Sequence, residues 1–108
     1  MTVEAALALC GLAVFLGLAI GAVVAVTDAV RCIDAARELA RAAARGEPER
    51  GREVAAAVAP VGARLTLTGG TSPDDPLVAE VTTEPLAPLP LSVHGRAVAA
   101  PEPGSVPP

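Results

Sequence analysis

The sequence has no tryptophan, no tyrosine and no lysine, and Phe15 and His94 are its single phenylalanine and histidine. Each absence narrows the chemistry. Without aromatic bulk, the 52% hydrophobic fraction is mostly Ala, Val and Leu, and such side chains build only a thin core. With one histidine, neither a paired-His metal site nor a Ser-His-Asp arrangement is indicated, and His94 reads as a solvent-facing strand residue. All eight basic residues are Arg, a bias that points to codon usage rather than to a site. The net charge of -4 argues against nucleic acid, which requires a concentrated basic surface. Gly69-Gly70 lacks the Lys and following helix of a phosphate loop, and Asp74-Asp75 reads as a turn. No catalytic residue, metal site or cofactor is expected.

The two cysteines, Cys10 and Cys32, stand 22 residues apart on one expected helix, about 33 Å along its axis. They cannot bridge within a chain, because a disulfide requires Cα atoms within about 7 Å. Both read as small helix residues, with Cys32 as a possible intersubunit thiol. Leu7-Ala8-Leu9-Cys10 lacks the small residue that precedes the cysteine of a lipoprotein cleavage box.

What the chain does have is Ala5 to Val26, 22 consecutive residues without a charged or strongly polar side chain. As a helix they reach roughly 33 Å, enough for a hydrocarbon layer of about 30 Å. Thr2 is placed to cap this helix, and Glu4 suits the positive end of its dipole. The segment before the run is too short and too acidic for the head of a secretory signal. Ala13, Gly17, Gly21, Ala25 and Ala29 recur every four residues, the small-residue pattern that lets helices approach closely in lipid.

Past Val26 no Gly or Pro interrupts the chain until Gly46 and Pro48, so the helix is expected to run on for about 43 residues in all. Val30, Ile33, Ala36, Leu39 and Ala40 make an apolar stripe there. Asp28–Arg31, Asp34–Arg37 and Glu38–Arg41 are acid–base pairs at i,i+3, each worth about 0.2 to 0.5 kcal/mol. A second helix is expected from Glu49 to Ala59, with Val54, Ala57 and Val58 on one side and Pro60 ending it.

The period then changes to two. Ala63, Leu65 and Leu67 alternate with polar residues, as do Leu77, Ala79 and Val81, and Gly69 to Pro76 between them is dense in turn formers. Leu91 to Ala99 gives a third strand with a bulge expected at Gly95. The fold class is therefore α+β: a long N-terminal transmembrane and amphipathic helix over residues 1–46, a small head over 47–100 with a short helix and an antiparallel sheet of about three strands, and a flexible Pro-rich tail over 101–108. A head of this size falls in the range where folds usually need partners.

Val3-Glu4-Ala5-Ala6-Leu7-Ala8-Leu9 opening an apolar helix, the run Val30 to Arg41, and a short head ending Ala97-Val98-Ala99-Ala100-Pro101 together resemble the TadE-like minor pilins, or pseudopilins, of tight-adherence (Tad/Flp) type IV pilus systems. The resemblance spans most of the chain and is strongest over residues 2–45. It implies a non-enzymatic structural subunit whose partners are membrane lipid, other pilin subunits and, if an upstream leader exists, a prepilin peptidase. In that family a glutamate at the fifth mature position guides assembly by pairing with a neighbour's amino terminus, and Glu4 is the residue that can match it. Glu4 would be fifth if one residue preceded Met1, so translation is expected to begin upstream. The Arg residues that follow the span place the C-terminus in the cytoplasm by the positive-inside rule, whereas a basic leader reverses this. The resemblance implies a single pass through the cell membrane with the head outside. The alternatives are a single-pass accessory protein that binds partners without polymerising, and a secreted domain whose first 26 residues are a signal.

Overall fold

The computed structural model describes residues 2–72, 74–85 and 91–101. Its elements are α1 (Val3–Ala44), α2 (Pro48–Val58), β1 (Arg64–Thr68), β2 (Leu77–Thr83) and β3 (Val93–Ala99). The class is α+β, as the sequence implies. The expected tail lies outside the described residues apart from Pro101. The molecule measures 76 × 21 × 18 Å because α1 is one continuous helix of 42 residues.

The ends of α1 are made by local chemistry. Thr2 has extended backbone, and its hydroxyl oxygen accepts the Ala5 N–H at 3.2 Å, satisfying one of the helix's free donors. At the other end Gly46 takes a φ of 81°, its N–H donating to the Ala43 carbonyl and that of Glu47 to the Ala42 carbonyl. This paired closure requires a left-handed residue just past the helix, where glycine has no steric penalty. The chain reverses there. Pro48 then starts α2 at a position where its missing N–H costs nothing.

The three strands form an antiparallel sheet in the order β1-β2-β3. Register places Leu65, Val81 and Gly95 in one cross-strand row and Leu67, Ala79 and Ala97 in the next, all on the face toward the helices. The opposite face carries the rows Arg64-Thr82-His94 and Thr66-Glu80-Arg96. His94 is exposed, as the alternation implies. In the β1–β2 loop the Asp75 carboxylate accepts from the Thr71 N–H at 3.2 Å and its hydroxyl at 2.9 Å, so Asp75 serves the turn.

The core sits against the last third of α1. Cys32, Ala35, Ala36, Leu39 and Ala40 are buried there with Ala55, Ala59, Ala79 and Val81. Residues 32–44 of α1 thus belong with the head, between α2 on one side and β2 and β3 on another. Leu39, Val81 and Cys32 are the largest fully buried side chains, which is the thin core the composition implies.

Several local expectations change. The buried face of α1 includes Cys32 and Ala35, whereas Val30 is 52% exposed, because the head covers α1 only from Cys32 onward. On α2 the inward residues are Gly51 and Ala55, and Val54 and Ala57 are exposed: small residues are what allow the two helices to touch. A Cβ on Gly51 would stand 2.7 Å from the Ala42 Cβ. Of the expected acid–base pairs on α1, Glu38–Arg41 alone is within reach among the described residues, at 3.5 Å and solvent-exposed, where such pairs contribute little. β3 begins at Val93 rather than Leu91, and it carries no bulge, since its pairing with β2 runs unbroken through Gly95 opposite Val81. Gly95 answers to a different need. A Cβ there would overlap the backbone of Cys32 and Ile33, so this strand lies directly on the helix main chain.

Gly95→Ala is expected to lower head stability by about 1–3 kcal/mol through forced separation of β3 from α1. Denaturant unfolding in detergent micelles measures it; an unchanged midpoint would show that the contact can yield.

Candidate functional site

The feature that the fold leaves unused is the first two-thirds of α1. In its most apolar 18-residue window no residue is buried, and the helix is long and apolar enough to cross a membrane. Leu7, Phe15 and Leu18 are each about two-thirds exposed, at 67%, 65% and 71%. This surface is continuous around the helix and has no polar face. Isolated exposed Leu or Val residues are ordinary on proteins, but a contiguous apolar cylinder marks a contact surface.

Glu4 lies exposed in the first turn, beside the Thr2 cap, at the free end of this cylinder. Ala13 and Gly17 are exposed, and Gly21, Ala25 and Ala29 are half-buried. An added Cβ at Gly17 would meet nothing within 4 Å, so no contact inside the chain explains that glycine. Residues four apart advance about 40° around a helix, so this small-residue track winds slowly rather than running straight. Cys10 is exposed on the same cylinder.

Cys32 has a different setting from the one an intersubunit thiol requires. It is 0% exposed, and its thiol donates to the Val93 carbonyl at 3.9 Å. A cross-link between copies would need the head to open, so the residue is a small core side chain at the contact between α1 and β3. Burial pushes its thiol above the ordinary value of 9.0, and the Asp28 carboxylate one turn away adds to this.

Among the described residues the head has shallow, open concavities. A cleft of about 390 Å³ is lined by Val61, Gly62, Arg64, Thr82, Thr83 and Glu84, and a groove beside β3 by residues including Arg37, Ala40, Arg41 and Ala97. Among the described residues no group of three or more His, Cys, Asp or Glu could hold a metal ion. Val61, at 102% exposure, is an apolar head residue that sequence reasoning passed over, and Leu91, expected to open the third strand, is 52% exposed instead. The signal available for Val61 was its place inside a Pro-x-Gly turn.

The fold and this surface define a class: a single long helix, bare and apolar at one end, whose other end is the spine of a small α/β head. No family model matches the chain, and no solved structure matches it. Among curated proteins, "Apoptosis inhibitor Rv3655c" of Mycobacterium tuberculosis (strain ATCC 25618 / H37Rv) is 42% identical to it over 102 residues, covering 94% of this chain and 79% of that protein. The chain belongs to the family of that mycobacterial protein.

The raised thiol has a consequence for pH. A folded-state value above the unfolded one means that the neutral thiol's contribution is complete below pH 9.0 and is lost as pH rises above it. With no Lys or Tyr in the chain, few other groups titrate there. Head stability is expected to fall on the alkaline side of pH 9.0, and Cys32→Ala to flatten that fall while lowering stability at neutral pH; parallel unfolding curves across pH test this.

Proposed function

We propose that this chain is a non-enzymatic, membrane-anchored structural subunit of the TadE-like minor pilin type, held in the cell membrane by residues 5–26 with its head outside the cytoplasm before incorporation into a tight-adherence pilus assembly. The observation that carries this reading is the division of α1. One helix supplies both a bare apolar cylinder and, without a break, the spine of a head too small to stand well alone. Such a helix can exchange lipid for the helices of neighbouring subunits while the head stays folded. The track Ala13, Gly17, Gly21, Ala25 and Ala29 permits close approach in that bundle. Glu4 pairs with a neighbour's amino terminus, which removes the cost of carrying a carboxylate into an apolar bundle. A prepilin peptidase is a partner if a leader precedes Met1.

A second reading is favoured by the relationship to a protein named an apoptosis inhibitor, a name that describes an effect and not a polymer. In this reading the chain is a single-pass accessory protein that acts on a partner, sharing the inhibition of apoptosis that its relative's name states, and never polymerises.

Glu4→Ala is expected to leave membrane insertion intact and to remove nearly all of the subunit from sheared surface material, measured by quantitative immunoblotting of sheared and membrane fractions. Normal levels of the variant in the sheared fraction would overturn the pairing. A wild-type protein found in membranes alone, and protective when expressed in cultured cells given an apoptotic stimulus, would favour the second reading.

A further inference from the structure

One end of the head faces the apolar half of α1, and its residues are not those of an ordinary solvent surface. The directions of the elements identify that end. Gly95 lies against Cys32 and Ile33, whereas Ala97 and Ala99 line a groove with Ala40 and Ala44, so β3 runs in the same sense as α1. β1 and β3 therefore start, and β2 ends, on the side of the bare helix. α2 runs back toward it.

Gly51 of α2 is level with Leu39 and Ala42 of α1, and Ala59 lies eight residues, about 12 Å, further toward the bare end. That brings the chain level with about Cys32. The turn Pro60-Val61-Gly62-Ala63 follows, closed by the Ala63 N–H donating to the Pro60 carbonyl at 3.1 Å with Gly62 at a φ of 79°. It sets Val61 roughly level with Val30, about 6 Å beyond Val26. A bilayer's headgroup region extends about 5–8 Å past the hydrocarbon on each side.

The side chains at this level match that region. Val61 is 102% exposed at the tip of its turn, and Val30 and Leu91, the latter two residues ahead of the start of β3 at this end, are each 52% exposed. Arg31 and Arg64 are exposed among them, and His94 shares a cross-strand row with Arg64. Asp28 and Glu84 stand at the same end, so its charge is mixed rather than basic. Apolar tips among charges of both signs suit phospholipid headgroups, with guanidinium groups on phosphate oxygens and carboxylates toward ammonium groups.

Resting on the reading of residues 5–26 as a membrane span, we propose that this end of the head is a lipid-contact platform: Val61, Leu91 and Val30 enter the headgroup layer while Arg31 and Arg64 engage phosphate oxygens. The bilayer then holds the head in one orientation, and leaving the membrane requires releasing this contact as well as the helix.

The chain has no tryptophan, so Phe15→Trp, Val61→Trp and Ser72→Trp each carry a single reporter, in the span, on the platform and at the far hairpin loop. All three sites are exposed, and unchanged circular dichroism verifies folding. In mixed phosphatidylethanolamine–phosphatidylglycerol vesicles, the Phe15→Trp protein is expected to lose most of its emission to lipids brominated deep in the acyl chain. The Val61→Trp protein is expected to lose most of its emission to lipids brominated next to the headgroup, and the Ser72→Trp protein to lose little to either. Quenching at Phe15→Trp, with Val61→Trp as unaffected as Ser72→Trp, would overturn the platform and leave the span standing. Absence of quenching at Phe15→Trp would overturn the span and the platform with it.

Discussion

The structure depends on how closely other elements can approach one face of α1 between Cys32 and Ala44. That face is built from Cys, Ala and one Leu, so its surface lies near the helix backbone. Two glycines use the space. Gly51 lets α2 lie on Leu39 and Ala42, and Gly95 lets β3 lie on the main chain of Cys32 and Ile33. Close approach restores the dispersion contacts that small side chains would otherwise forfeit, since a gap of even half an ångström loses much of an atom pair's attraction. A head without aromatic residues has few other means of packing.

The same helix explains why the molecule is divided. Its first two-thirds expose Leu, Val, Ile and Phe on every side, and at about 25 cal/mol per Å² such a surface strongly disfavours water. Its last third is covered by the head. Because no break separates the two parts, any force on the apolar end is transmitted to the head as a rigid rod. This is the mechanical property that a subunit drawn from lipid into a bundle needs. It is equally what an anchored partner-binding protein would use to fix the distance of its head from the membrane.

Small heads of this kind draw on their surroundings for stability. With a core whose largest fully buried members are Leu39, Val81 and Cys32, the head has a small favourable term to set against chain entropy. The buried thiol shows the same economy. Cys32 sits against the Val93 carbonyl of β3, and it remains an inert core residue because burial and Asp28 disfavour its thiolate.

The sequence by itself determined whatever local chemistry controls: the length of α1, from the Thr2 cap to the glycine at 46, the apolar run, the hairpin loop with its Asp75 turn, and the alternation of β1 and β2. On the candidate surface, Glu4 and the small-residue track were legible for the same reason, since a helix assigns positions by spacing alone. Tertiary structure decided the rest. In the alanine-rich run 29–44, periodicity picked out Ala36, Leu39 and Ala40 but not the limits of the buried face, and only the arrival of β3 and α2 added Cys32 and Ala35 and left Val30 out. Likewise a lone glycine in a strand is consistent with a bulge or with close approach, and the helix passing beneath Gly95 settled which. The place of Val61 was decided only once α2 was folded back along α1, because that reversal, and no feature within the turn, brings the turn toward the bare end of the helix.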